Sequence, residues 1–286
     1  MADRTPVAAL SLSVAVAAKG APPDAFVVWR GFEESIERAA AYGYDGVELA
    51  LKEAAEVDPK ALDRWLARAG LRVSAISSGQ VFATLGLTFT DPDPAMRRQL
   101  VDLFKGLMDL AADFGGLVNV GRARGSYRVD QPRPETERLF IDTSRELCDY
   151  GRRRNVTLMI EPVNRYEINF VNSVEQGAEL LARVERANIA LMPDVFHMNI
   201  EDARIGESLV RHGKLVRYIH LADSNRRAPG MGHIDFEEVF AALRSVEYRG
   251  WAAVEILPLP DADQAAEHAA RTLRPMIDRY NADIPR

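Results

Sequence analysis

The feature that most constrains this chain is a rhythm, in which short apolar runs alternate with amphipathic helical segments from one end to the other. Eight runs read as strands, at 8–16, 45–50, 71–77, 117–121, 156–161, 189–194, 216–222 and 251–257. Between them, Phe32, Ile36, Ala39 and Ala40 share one helical face ahead of Gly43, and Leu62, Trp65, Leu66 and Ala69 do so ahead of Gly70. The longest such face runs from Met96 through Leu100, Leu103, Phe104, Leu107, Leu110, Ala111 and Phe114 to Gly115 and Gly116. Asp58-Pro59 and Asp93-Pro94 each set a capping side chain before proline at the first helical position. Ser173-x-x-Gln176 and Asp235-x-x-Glu238 have capping-box spacing.

Strands alternating with helices imply a parallel sheet with right-handed crossovers. Eight units favour closure into an α/β fold of the (β/α)8 TIM-barrel type over an open doubly wound sheet. No glycine-rich phosphate fingerprint follows the first strand, which weakens the open-sheet alternative. The 286 residues suit one barrel domain spanning 1–286. The longest irregular stretches, 78–93, 122–134 and 223–234, all follow strands, at the end of a barrel where loops carry function.

A formal net charge of −6 argues against broad binding to nucleic acid or to an anionic membrane. No apolar stretch approaches the ~20 residues of a membrane span. The apolar run 8–18 has the length of a signal-peptide core, but Ser11 and Ser13 interrupt it and Asp3 precedes it beside Arg4. It reads as the first barrel strand, and the expected compartment is the cytoplasm. Cys148 is the sole cysteine, so no internal disulfide can form. The pattern Leu139, Phe140, Thr143, Leu147 and Tyr150 puts it on a core-facing helix surface.

The chemistry lies at the ends of the last four strands. The fifth ends Met159-Ile160-Glu161-Pro162, and the sixth Leu191-Met192-Pro193-Asp194, with His197 three residues on. The seventh holds Tyr218-Ile219-His220 before Asp223, and the eighth runs Ala253-Val254-Glu255-Ile256. A charge buried in an apolar strand is costly unless it is paired or bound to metal. Four strands bearing that cost at one level point to convergence on one centre. Glu161, Asp194, His220 and Glu255 form a mixed oxygen and nitrogen set suited to one divalent ion, Mn2+, Mg2+ or Co2+. Such a metal with two glutamates on different strands suggests proton transfer beside a carbonyl. Glu161 and Glu255 on opposite faces of a substrate would invert a stereocentre. One carboxylate shuttling the proton between neighbouring carbons would instead interconvert aldose and ketose. Glu48, in the second strand, reads as a satisfied polar group of the barrel interior, and His233 as a brace for the site loop.

The segment Ile160-Glu161-Pro162-Val163-Asn164-Arg165-Tyr166-Glu167 resembles the strand-five signature of ketose 3-epimerases, the D-tagatose and D-allulose 3-epimerase group of the xylose-isomerase-like superfamily. Asp194-x-x-His197-Met198-Asn199, His220-x-x-Asp223-Ser224-Asn225-Arg226 and Gly232-His233-Ile234-Asp235-Phe236 extend the match, and Glu255 closes it. The resemblance implies that Glu161, Asp194, His220 and Glu255 bind the metal, often Mn2+, with Glu161 and Glu255 also the acid/base pair working through an enediolate. It implies that Glu167, His197 and Arg226 hold the substrate, and it is the basis for expecting a dimer or tetramer. Ser78-Gly79-Gln80, Gly121-Arg122-Ala123-Arg124-Gly125 and Ala228-Pro229-Gly230 look closest to the branch acting on keto-sugar acids, similar to 5-keto-L-gluconate epimerase, which forms D-tagaturonate. On that likeness Gln80 and Arg124 join the substrate-binding set, with Arg122 and Arg124 placed to fork onto a carboxylate or phosphate.

Three rivals share parts of this pattern. An aldose–ketose or hydroxypyruvate-type isomerase, or a keto-inositol dehydratase, would use the same metal. A zinc endonuclease of the same barrel needs additional histidines from early strands, and no histidine precedes His197. A metal- or sugar-binding protein without catalysis would keep most of the constellation.

Overall fold

The computed structural model describes residues 10–22 and 25–283. Its strands are β1 (Ser11–Ala17), β2 (Trp29–Arg30), β3 (Gly46–Ala50), β4 (Arg72–Ser77), β5 (Leu117–Val120), β6 (Thr157–Ile160), β7 (Ile189–Leu191), β8 (Tyr218–His220) and β9 (Trp251–Val254). They pair in parallel in the order β7-β6-β5-β4-β3-β1-β9-β8, with the two-residue β2 beside β1. Eight strands thus form a nearly closed TIM barrel ringed by helices, as the rhythm predicts. The expected first strand begins at Ala8, which with Ala9 lies outside the described residues.

The helices are α1 (Phe32–Ala41), α2 (Pro59–Ala69), α3 (Gly79–Leu85), α4 (Pro94–Asp113), α5 (Arg133–Arg152), α6 (Val174–Val184), α7 (Val195–Glu201), α8 (Ile205–His212), α9 (Phe236–Ser245) and α10 (Ala262–Asp283). All four expected caps form. Asp58 accepts from the Lys60 N–H, Asp93 from Ala95, Ser173 from Gln176, and Asp235 from both Glu237 and Glu238. Two of the three stretches expected to be irregular contain order: 78–93 holds α3, and 122–134 begins with a single 3-10 turn at Arg122–Arg124. Among the described residues, no helix is long and apolar enough to cross a membrane.

The strands obey period two. Outward residues such as Leu12, Val14, Val16, Val47, Leu49, Val118, Val120, Leu158 and Ile160 are buried against the helices in one large core. Inward residues Ala75, Met159, Met192, Tyr218, Trp251 and Ala253 make a second, smaller core inside the barrel. Trp251 fits only because Gly46 stands beside it, since a Cβ there would lie 2.5 Å from the Arg72 carbonyl oxygen and 2.8 Å from the indole. Towards the C-terminal mouth the inward side chains of β1 and β3 shrink to Ala15, Ala17 and Ala50. That shrinkage leaves room for a cavity.

The barrel closes at β7 and β8 without a continuous ladder. Two isolated parallel bridges, Leu191 with Val216 and Asp194 with His220, join them. The hydrogen bonds run from Arg217 N to Leu191 O, 3.1 Å, and from His220 N to Pro193 O, 2.9 Å. Pro193 has no N–H to donate, so the ladder is interrupted where the seam passes it.

Candidate active site

Two residues beyond each inward-packed side chain, the same parity points another side chain at the mouth. Met159 leads to Glu161, Met192 to Asp194, Tyr218 to His220 and Ala253 to Glu255, at or just past the ends of β6 to β9. One ligand atom from each of these four lies within 4.8 Å of the others. His220 Nδ1 is 3.7 Å from Glu161 Oε1, 3.9 Å from Asp194 Oδ2 and 3.4 Å from Glu255 Oε2. That nitrogen is buried and makes no hydrogen bond. A solitary imidazole nitrogen facing three carboxylates is a donor set that fits one divalent cation. Asp194 has a second task, since its Oδ1 caps α7 at the Phe196 N–H, 2.9 Å away.

The two glutamates sit in different fields. Burial presses the Glu161 carboxyl upward, but His220, Asn119 and Arg226 hold it below the ordinary range. Asn119 Nδ2 donates to Glu161 Oε2 at 3.1 Å. At Glu255 burial wins over His220 and Arg226, and the carboxyl is raised.

Arg226 reaches this cluster from the loop after β8. It has a left-handed backbone, φ 61°, and its guanidinium bonds Asp194 through Nη1 and Glu255 through Nη2. The Phe26 and Phe196 rings lie against it, each 4.8 Å from Cζ. Asp223 secures the loop by accepting from the N–H groups of Ser224, Gly230 and Ile234, and these bonds hold its carboxyl below the ordinary range despite burial. His233 braces the same loop through a 2.9 Å contact of Nδ1 with Ser224 Oγ.

His197, on α7, is buried, and its Nδ1 accepts from Asn164 Nδ2 at 2.8 Å. The ring proton therefore sits on Nε2, which faces Glu161 and Asp194 at 3.8 and 3.9 Å. Burial pushes the His197 pKa down to about 3, so the ring is a neutral donor. Asn164 also donates to Glu167 Oε1, 3.0 Å away. Glu167, His197, Arg226 and Gln80 line one cavity with Glu161 and Glu255. Gln80 is buried there, its Nε2 already donating to the Ala50 carbonyl at 3.1 Å.

Arg124 departs from expectation. It is fully buried, and its guanidinium donates to three carbonyls, those of Phe170 at 2.7 Å, Gly121 at 3.0 Å and Val171 at 2.9 Å. It ties loops together and is not among the residues lining the cavity. Arg122, two residues earlier on the same 3-10 turn, does line it, with its guanidinium 5.5 Å over the Phe82 ring. Asn164, Phe26 and Phe196 went unassigned in the sequence. Asn164 lies between Glu161 and Glu167 with no chemistry of its own to mark it, and Phe26 sits in a loop whose local pattern carries no signal.

The matched family model is the xylose isomerase-like TIM barrel, over residues 36–276. An L-ribulose 3-epimerase of Methylomonas sp. (strain DH-1) is 33% identical over 223 residues, covering 77% of this chain and 76% of that protein. A 3-dehydro-D-guloside 4-epimerase of Escherichia coli (strain K12) is 28% identical over 118 residues, 41% of this chain and 45% of that protein. A solved L-ribulose 3-epimerase superposes with a TM-score of 0.82 at 24% identity, over 96% of each chain. The chain belongs to the xylose isomerase-like TIM barrel family and is an isomerase, its relatives including ketose 3-epimerases and a 3-dehydro-D-guloside 4-epimerase.

Proposed function

We propose that the chain is a divalent-metal-dependent epimerase that inverts C3 of a free ketose or a keto-uronate, such as 5-keto-L-gluconate and D-tagaturonate. One arrangement carries this reading: Glu161 and Glu255, from the non-adjacent strands β6 and β9, line one cavity around a buried acid–imidazole cluster. A divalent cation held by Glu161, Asp194, His220 and Glu255, with Mn2+ the first candidate, would supply Lewis acidity to the carbonyl beside the reacting carbon.

In this reading one glutamate removes the C3 proton. The C–H electron pair passes into the enediolate, and the other glutamate returns a proton to the opposite face. His197, through Nε2–H, and Arg226 donate to substrate oxygens, and Glu167 accepts from a hydroxyl. Arg122 lines the cavity and has no carboxylate partner among the described residues, which suits it to the acid group of a keto-uronate. The E. coli relative is named for inversion at C4 beside a C3 ketone, the same chemistry one carbon along.

The test is proton NMR in D2O on metal-stripped protein with and without Mn2+, quenched with chelator, over ketohexoses and keto-uronates that include fructose and tagaturonate. The expected result is Mn2+-dependent deuterium at C3 with the C3-inverted product. Exchange at C1 with an aldose product would make the protein an aldose–ketose isomerase. Absence of exchange across the panel, with Mn2+ bound, would overturn the epimerase reading.

A further inference from the structure

A second carboxylate stands behind the four candidate ligands. Glu48, on β3, is fully buried, and its Oε2 lies 2.8 Å from His220 Nε2. Its other oxygen, Oε1, has no hydrogen-bond partner. It is therefore less than the satisfied barrel residue that its sequence position suggests. A buried carboxylate with one bare oxygen is expensive to keep, and leucine or valine at an inward barrel position would avoid that expense.

The surroundings hold the imidazole in place. Tyr218, two residues before His220, packs edge-on against its ring with centroids 5.7 Å apart. The Tyr218 hydroxyl is fixed by Ser13 Oγ at 3.1 Å and Ser74 Oγ at 2.7 Å. Ser74 is available because the β3–β4 register shifts there: Val47 pairs with Val73 but Glu48 with Ala75. With the ring so held, Nε2 meets only an acceptor, and two acceptors 2.8 Å apart repel unless Nε2 carries the proton. When the ring carries that one proton, as a cation ligand must, Nδ1 offers its lone pair towards Glu161, Asp194 and Glu255.

We infer that Glu48 is a positioning residue for the cation: through Nε2 it fixes the tautomer and orientation in which His220 offers Nδ1. The inference rests on the reading of Glu161, Asp194, His220 and Glu255 as metal ligands. A carboxylate hydrogen-bonded behind a ligating imidazole also raises the basicity of the ligand. Glutamine at position 48 keeps the volume but can turn its amide NH2 towards Nε2, which favours the tautomer with Nδ1 protonated and unable to ligate.

The experiment titrates metal-stripped full-length protein, E48Q and E48A with Mn2+, following the free-ion EPR signal, and records the visible spectrum of each with Co2+. Circular dichroism of the metal-free proteins verifies folding, and E48Q decides the matter if E48A does not fold. The expected result is a Mn2+ dissociation constant raised about tenfold to a hundredfold in E48Q, with an altered Co2+ spectrum. In an H220N background the same substitution should add no further loss, which a purely structural role for Glu48 would not predict. Folded E48Q with the wild-type Mn2+ affinity and Co2+ spectrum would overturn the inference. Wild-type protein that binds no Mn2+ would remove the metal reading itself, a failure visible before any variant is compared.

Discussion

Arg122 and Arg124 share one 3-10 turn, yet one faces a cavity and the other is spent on three backbone carbonyls. Their roles should separate in variants. Arg122→Gln is expected to raise KM for a keto-uronate about tenfold or more, the scale of a hydrogen bond to a charged group, and to leave a neutral ketose nearly unchanged; steady-state kinetics on both substrates checks it. Equal loss on both substrates would remove Arg122 from acid recognition. The sequence can show two arginines after a strand, but the phase of a three-residue turn depends on what packs around it. Cys148 is a simpler case, legible from helical periodicity alone. Burial pushes its thiol up to about 12, so it should be silent to a thiol-reactive chromophore in native protein and react with one equivalent after denaturation.

At the scale of elements, local chemistry was readable wherever a single segment contains both halves of the interaction. Asp235 caps α9 by accepting from Glu237 N at 3.0 Å and Glu238 N at 3.2 Å. Asp235→Ala should therefore lower stability by about 1 kcal/mol, read as a reduced urea midpoint with unchanged m-value. The strand ends that carry the candidate ligands were legible too, because period two carries each from an inward apolar residue to an inward polar one. Helices α3 and α7 were not read, as seven residues give too few turns for a periodic face. The partnership of Glu48 with His220 spans 172 positions and that of Asn164 with His197 spans 33, so no local pattern could show either. Strands β7 and β8 came out at three residues each, shorter than their apolar runs, because the missing Pro193 N–H interrupts pairing between them.

For the whole molecule, eight strands are joined by seven ladders, and the eighth junction is the pair of bridges beside Pro193. Any ion bound only by the folded state stabilises it, by about 2.7 kcal/mol at a hundred times its dissociation constant. Calorimetry should thus show a melting temperature raised by Mn2+ and returned by EDTA, and an unchanged melt would argue against a preformed cation site. The location of the gain follows from the seam. Asp194 and His220 stand on opposite lips of the one slit in the cylinder, and Glu161 and Glu255 flank them on the next staves outward. A cation held by these four side chains would be a buckle on a hoop. Amide exchange along residues 216–222 should slow on loading more than exchange in β3 or β4, and the chain would become catalytically competent and mechanically closed in the same event.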